Sequence, residues 1–469
     1  MTTPAEVRVA RVAQPPSAVD SVSLQHDLAA IVGDPHVTQA HIEINGVTPS
    51  VSVAPSSAEE VAAILRLANE RDLQVAPAGG CTRQQIGGIP ERVDVLLRTE
   101  RLNQIRQYDP GDLTVGVGAG IRFADLQSAM GEHQQWLPYD PPQPKLATIG
   151  GLLATAAFGP LKSGFGGLRD FCIGIQFVTG EGVIAKAGGN VVKNVAGYDL
   201  MKLMVGSYGS LAVITGANFK VFPRPRQTRS FICSLPSLPE AIAFRNQVLR
   251  SPLTPICLEL ISPRALEYLC DPPVAQDPDH YAPARPMSSP STEWQIAVRA
   301  AGSDNVLARC RRELGAPVVR ELEGAGEEQF WSWVSNFEVS ILERHRNAMI
   351  VYAHATIQNV EAVVQALEHS APDYNFLPAM LGRVATGNLV LGFVPLPVDP
   401  PAAMQFANCT SAFRALLPAG CSAIVTQCPK EAKAYFDVWG STPTDLDLMR
   451  GVKRALDPKR ILNRGRFIV

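Results

Sequence analysis

Clustered cysteines are missing from this chain. Its nine cysteines (81, 172, 233, 257, 270, 310, 409, 421 and 428) stand singly, in odd number and without ligand spacing. That pattern excludes the Cys-x-x-Cys runs that hold iron–sulfur clusters, and it fits a reducing cytosol. Charge of one sign is missing too: 42 Lys and Arg oppose 44 Asp and Glu, for a net charge of −2. With no recurring basic stripe, a nucleic acid is not an expected partner. No long apolar run is present either. The longest, 149–161, is broken by glycines and too short to span a bilayer, so no transmembrane segment is expected. Residues 1–23 carry Glu6, Arg8, Arg11 and several prolines without an apolar stretch, which reads as a disordered arm and not a signal peptide. A chain of 469 residues with 46% apolar content has room for two or three globular domains.

Two nucleotide-binding signatures are also lacking. No Gly-Lys-Ser/Thr closes a Walker loop. Gly116-Val117-Gly118-Ala119-Gly120 is not a Rossmann fingerprint, because Ile121 stands where a third glycine is needed. It reads as a strand-to-helix turn before Phe123.

Glycine-rich turns between apolar strands are what the first half offers instead. A strand at 51–55 is followed by Ser57 and Glu60 in a capping box, then by Val61, Ile64, Leu65 and Ala68 at helical spacing. A second strand at 73–76 runs into Pro77-Ala78-Gly79-Gly80-Cys81-Thr82, a turn whose successive backbone N–H groups suit an anion such as a pyrophosphate. The segment 147–155 pairs Gly150 and Gly151 with small side chains and with Thr148 and Thr155 as hydrogen-bond donors. Arg169-Asp170 reads as an ion pair or turn anchor. After a strand at 173–178, Asp199 is placed to cap a short helix with Leu200, Leu203 and Met204 on one face. Gly206 then falls at its C-terminus, before a buried strand at 211–215. Such glycines between apolar strands make a wall that can press against a large flat ligand.

Beyond residue 226 the texture changes. Strands at 231–235, 255–261, 294–299, 318–322, 349–357, 388–394 and 422–426 alternate with helices at 237 onward, 303–314, 360–369 and 402–417. That alternation predicts an antiparallel or mixed sheet with helices on one face. The proline-rich stretch 271–291 reads as an exposed loop. A last helix ends near Leu456, before Asp457-Pro458 and Asn463.

Taken together, four ordered segments resemble the vanillyl-alcohol-oxidase/PCMH flavoprotein superfamily: 77–82, 148–155, 206–215, and Asp457-Pro458 through Asn463 and Gly465. The resemblance implies an α+β protein with a two-part PCMH-type FAD-binding domain (24–226), a cap domain with a mostly antiparallel sheet (227–445), and a C-terminal segment returning to the flavin (446–469). FAD is the implied cofactor. The implied contacts are Pro77, Ala78, Gly79, Gly80, Cys81, Thr82, Thr148, Gly150, Gly151, Ala154, Thr155, Gly166, Val213 and Asn463, with no metal. Segment 192–200 and the chain length are similar to the FAD-binding subunits of glycolate oxidases. This implies oxidation of a short 2-hydroxy acid in a complex with a second flavoprotein subunit and an iron–sulfur subunit, in the cytoplasm or held at the inner membrane by that complex.

Four departures mark the chain within that family. Ala156-Ala157-Phe158-Gly159 replaces Asn-Ala-Ser-Gly, Gly164-Phe165-Gly166 replaces Arg-Tyr-Gly, and Arg464 replaces a C-terminal proline. The His-Gly-Asp-Gly-Asn-x-His stretch of the catalytic 2-hydroxy-acid dehydrogenases has no counterpart; 385–389 is its nearest remnant. Cys81 stands where some relatives carry a histidine linked covalently to flavin. None of the eight histidines forms a pair with metal-ligand spacing. Hydride abstraction from a hydroxy acid needs a base and a carboxylate clamp. His354, on a strand, and Arg383, read as a loop residue, are the candidates. A catalytic subunit and a non-catalytic FAD-binding partner therefore compete as readings.

Overall fold

The computed structural model describes residues 21–190, 198–269 and 292–469. The arm up to residue 20, positions 191–197 within the 192–200 motif, and the proline-rich stretch lie outside the described residues. The arm as expected ran to residue 23, but Ser21–Val32 is helical. Leu24, Leu28 and Val32 recur at helical spacing and are buried against Val61, Ile64 and Leu65 of the next helix.

The first sheet is small and mostly parallel. Val51–Val53, Val95–Arg98 and Val75–Ala78 run parallel in that spatial order, with Val37–Thr38 antiparallel at the edge. Helix Ala58–Glu70 forms the crossover. Ser57 caps it by accepting from the Glu60 N–H at 3.1 Å, while the Glu60 carboxylate reaches past the cap to the Ser56 N–H at 2.7 Å. The strand expected at 73–76 begins two residues later, so Pro77 and Ala78 belong to the strand and the turn starts at Gly79. The chain end completes this layer. Val75 N–H donates to Ile461 O (2.8 Å) and Asn463 N–H to Val75 O (2.9 Å), which seats 461–463 beside the strand as its outer neighbour.

The second sheet is antiparallel throughout, in the order Ile105–Asp109, Thr114–Gly118, Ala212–Lys220, Cys172–Thr179, Ile184–Gly188. Its apolar face carries Val115, Val117, Ile175 and Phe177 against helices Phe123–Gly131 and Ile149–Thr155. Helix Leu200–Met204 turns the opposite way from expectation. Met201 and Met204 are buried, whereas Leu200 and Leu203 are exposed, and Asp199 makes no cap but pairs with Lys202 at 2.5 Å. In five residues only one i, i+3 pair can face the sheet. Here that pair is Met201 and Met204, the former lying beside Gly188.

Eight strands make the cap sheet, in the order Val318–Leu322, Thr228–Leu235, Trp294–Ala301, Cys257–Ile261, Phe376–Arg383, Asn388–Pro395, Met349–His354, Ser422–Gln427. Every neighbouring pair is antiparallel. Both faces are covered, and not one face as expected. Phe231, Cys233, Leu258 and Leu260 pack under helices Leu238–Arg250, Asp304–Leu314, Val360–Ser370 and Ala403–Ala415. The alternate residues Ile232, Cys257 and Ile261 pack under Gly324–Ser335 and Phe337–Arg344. Strand Phe376–Arg383 was not among the expected strands.

Candidate functional site

One cavity collects the separate glycine-rich segments. Pro77, Ala78, Gly79, Gly80, Cys81 and Thr82 line it from the first sheet. Thr148, Gly150, Gly151, Ala154 and Thr155 line it from helix Ile149–Thr155 and its start, Val213 from the second sheet, and Asn463 from the chain end. Gly166 lies elsewhere. At φ +90° it ends a short helical turn, where a Cβ would meet the Asp170 carboxylate at 2.6 Å, and it does not line the cavity. That carboxylate accepts the Gly167 N–H at 2.8 Å, which makes Asp170 a turn anchor.

Close packing explains the turn. A Cβ on Gly79 would stand 1.9 Å from Thr148 Oγ1, and one on Gly80 would stand 1.7 Å from Leu146 O. Only hydrogen fits in either place, so the turn is pinned against 146–148. Across 79–83 no backbone N–H has an acceptor among the described residues. Thr148 Oγ1 is also buried without a partner. A row of unsatisfied donors facing a cavity suits phosphate oxygens, which gives the turn a fit to a pyrophosphate. Thr155, expected to donate to the ligand, gives its hydroxyl to Gly151 O at 2.8 Å inside its own helix. Cys81 sits at φ +58°, its thiol on Gly79 O at 3.4 Å and raised in pKa by burial, so it stands as a neutral thiol.

The chain end closes the cavity through Asn463, which was expected there, and Arg466, which sequence reading passed over. Asn463 Nδ2 donates to Tyr208 O at 2.7 Å, while Arg466 donates to Asn463 Oδ1 (3.0 Å), Gln84 Oε1 (3.0 Å) and Gln84 O (2.9 Å). Arg83, Gln84, Ile86, Thr99, Tyr208 and Arg466 are lining residues outside the expected set. Two of them, Arg83 and Gln84, merely continue the turn. Burial lowers Arg466 to about 10. Behind this wall, Lys453 Nζ donates to Ser210 O at 2.5 Å, Leu462 O at 3.1 Å and Asp457 Oδ2 at 2.6 Å. Asp457 accepts the N–H groups of Ile461 (3.0 Å) and Leu462 (2.9 Å). This buried pair fixes the Asp457-Pro458 segment to strand Ala212–Lys220.

Arg83 joins the cavity to the cap. Its guanidinium donates to Glu338 Oε1 (2.5 Å) and to the Tyr352 hydroxyl (2.9 Å), which in turn donates to Glu338 Oε2 (2.5 Å). Burial opposes the charge, yet Glu338 and Tyr352 outweigh it and hold Arg83 above its ordinary pKa. Beyond Tyr352 lies Phe158, with ring centroids 4.9 Å apart.

The two cap candidates sit around Phe158 and do not line the cavity. Arg383 is not a loop residue; it ends a strand, is 2% exposed, and its guanidinium lies 5.2 Å from the Phe158 ring centre. Its Nε faces Glu259 Oε2 at 3.7 Å, too long for a hydrogen bond, and neither Nε nor Nη1 has a partner. Glu259, fully buried, is pushed up to about 8 by burial; Arg383 pulls it down and Asp140 pushes it further up. His354 ends its strand exposed, 6.3 Å from the same ring. Lys162, a further cation missed in the sequence, holds Nζ 4.8 Å from the ring centre and 3.1 Å from Asn388 Oδ1. No group of three His, Cys, Asp or Glu side chains able to hold a metal is present among the described residues.

Comparisons with known proteins match two segments of the chain. Residues 49–188 match the family model "FAD binding domain", and 438–467 match "FAD linked oxidases, C-terminal domain". The D-lactate dehydrogenase of Archaeoglobus fulgidus is 35% identical over 46% of this chain and 48% of its own, so the match spans about half of that relative. Glycolate oxidase subunit GlcE of Escherichia coli is 42% identical over 30% of this chain and 40% of its own. Glycolate oxidase subunit GlcD of Bacillus subtilis is 25% identical over 89% of each. In fold, alkyldihydroxyacetonephosphate synthase superposes with a TM-score of 0.69 at 17% identity, over 98% of this chain and 88% of that one. p-Cresol methylhydroxylase superposes with a TM-score of 0.68 at 15% identity, over 96% and 97%. The α+β fold is that of the PCMH-type flavoproteins. The first matched segment is an FAD-binding domain, the second resembles the C-terminal domain of FAD linked oxidases, and FAD is the cofactor.

Proposed function

We propose that this FAD-linked oxidase chain is the FAD-holding subunit of a complex that oxidises a short 2-hydroxy acid of the glycolate class. The supporting observation is the cavity: turn 79–83, with its free N–H groups, faces Thr148 and the 212–214 strand, and Asn463 and Arg466 close it. In this reading the turn amides and Thr148 Oγ1 hold the pyrophosphate, and the small residues Gly150, Gly151 and Ala154 let the backbone lie close to the cofactor. FAD, when bound, supplies a two-electron acceptor for the hydride of the α-carbon. Similarity to glycolate oxidase subunits and D-lactate dehydrogenases supports the substrate class and a place in a complex; the partners in this reading are a second flavoprotein subunit and an iron–sulfur subunit. No described helix is long and apolar enough to cross a membrane, so contact with the inner membrane would come through those partners.

His354 as base and Arg383 as carboxylate clamp remain the in-chain candidates. A second reading, a non-catalytic FAD-bearing partner, is favoured by their position: both lie around Phe158, off the cavity. The full chain, purified alone, is expected to absorb near about 450 nm and to stay unbleached when mixed anaerobically with glycolate, while the assembled complex bleaches. A colourless chain sinks the FAD-holding role. Bleaching of the chain alone assigns catalysis to this polypeptide and removes the second reading.

A further inference from the structure

Phe158 sits beside two cations, the cap candidate Arg383 and Lys162. Arg383 Nε and Nη1 are buried without a hydrogen bond, Nε lying 3.7 Å from Glu259 Oε2, and Lys162 donates to Asn388 Oδ1. Arg383, 2% exposed, and Lys162 are the cations a small carboxylate would meet here, and burial holds the carboxyls beside them, Glu259 and Asp140, well above the usual carboxylate range. The ring itself is 5% exposed and lies against both cations and Tyr352.

The ring is also fixed in place. Helix Ile149–Thr155 ends at Ala156, whose φ of +47° swings the chain out of the helical path. Tyr139 then donates its hydroxyl to Ala157 O. Leu161 N–H donates to both oxygens of Asp140 at 3.0 and 3.1 Å, and a Cβ on Gly159 would stand 2.0 Å from Asp140 O. Anchors on either side of residue 158 leave its backbone nowhere to move.

We propose that Phe158 is a built-in plug: its ring occupies the volume in which a small carboxylate would meet Arg383 and Lys162, and so closes the substrate site of this subunit. The inference rests on the second, non-catalytic reading of the FAD-holding chain above and deepens it, by naming the side chain that would leave the chain unbleached when alone. It predicts that a smaller residue at 158 creates an anion site without disturbing the cofactor.

The test titrates oxalate into the FAD-loaded full chain by calorimetry, for wild type, Phe158→Ala, Phe158→Leu and the double variant Phe158→Ala/Arg383→Met. Each charge-assisted hydrogen bond gained contributes about 1.5–3 kcal/mol, so Phe158→Ala is expected to bind oxalate about 10- to 100-fold more tightly than wild type. The double variant is expected to lose that gain. Phe158→Leu keeps an apolar side chain under the cap and gives the same direction at smaller amplitude, which decides the matter should Phe158→Ala not fold. Wild type binding oxalate as tightly as the variants overturns the plug. So does a folded, yellow Phe158→Leu with no gain, or a gain indifferent to Arg383→Met. A wild-type chain that carries no FAD sinks the FAD-holding role instead, and it is read from absorbance before any oxalate is added.

Discussion

The cavity and the charged cluster behind Phe158 are neighbours built from opposite materials. The first is made of backbone: glycines that admit no Cβ, amides without acceptors, and one orphan hydroxyl. The second is made of long charged side chains, Arg383, Glu259, Lys162 and Asp140, contributed by distant parts of the chain and packed around an aromatic ring. A backbone site is fixed by local sequence and tolerates almost no substitution. A side-chain site is set by long-range packing, and one residue can close it.

The sharpest way to break this contrast is Gly80→Val. Its Cβ would stand 1.7 Å from Leu146 O, a backbone atom that cannot rotate away. Displacing the turn removes several phosphate-facing amides together, and a loss of FAD affinity of at least about 100-fold, or roughly 3 kcal/mol, is expected. The ratio of flavin to protein absorbance in the purified chain reads it. Gly387→Ala is the control, since its Cβ would stand 1.9 Å from Ala355 O while neither residue lines the cavity. That variant should melt at lower temperature yet keep full flavin in whatever folds. Equal flavin in the Gly80 variant and wild type would show that the turn is not where the cofactor rests.

Next in size is Lys453→Met. The Lys453–Asp457 pair is almost wholly buried, and removing the cation strands the Asp457 carboxylate. Breaking such a pair costs about 3–5 kcal/mol. A drop of several degrees in the thermal midpoint is expected, with flavin released at lower temperature because segment 461–463 loses its anchor. An unchanged midpoint would mean that the strand pairing of 461–463 alone holds the chain end.

These elements also divide what the sequence made legible from what it hid. Turn 77–82, segment 148–155 and Asn463 were readable because glycine, small residues and asparagine report local backbone needs. Gly166 misled for the same reason: its positive φ serves a turn built on Asp170 and not the cavity. Arg83, Lys162 and the true setting of Arg383 were not readable. Their meaning depends on Glu338, Asn388 and Glu259, which lie between 124 and 255 residues away, and Arg383 ends a strand that was not among those expected. Residues Leu200 and Leu203 show a smaller failure, in which a five-residue helix offers too short a pattern for its buried face to be told.

A pH profile sharpens the comparison from the side-chain region. Burial raises Glu259 to about 8 and Asp140 to about 7, both above the range of unfolded carboxylates. The folded state therefore holds protons that the unfolded state has released, so stability from these groups is full below about pH 4 and is lost as pH rises toward 8. Glu259→Gln removes one of the two titrations. Its thermal midpoint should fall less steeply between about pH 5 and 8 than that of wild type, by up to about 1.4 kcal/mol per pH unit over the steepest part. Identical slopes would mean that the Arg383 guanidinium keeps Glu259 ionised throughout.

The smallest expected effects come from two threonines of one short segment, and they test whether the cavity is read at the level of single hydrogen bonds. Thr148 lines the cavity and its Oγ1, packed against Gly79 under the turn, has no partner, so a phosphate seated on the turn is expected to draw that hydroxyl into a hydrogen bond. Thr155 Oγ1 already donates to Gly151 O at 2.8 Å, so it has nothing left to give. Thr148→Val should weaken FAD binding by about 5- to 10-fold, the worth of one hydrogen bond of roughly 1–1.5 kcal/mol. Thr155→Val should change it by less than about twofold, because the lost bond lies inside the helix and contributes little. Refilling the flavin-free chain with FAD and following the quenching of flavin fluorescence measures both. If Thr155→Val proves the weaker binder of the two, the helix start at Thr148 is not turned toward the cofactor and the phosphate-facing row is limited to the 79–83 amides.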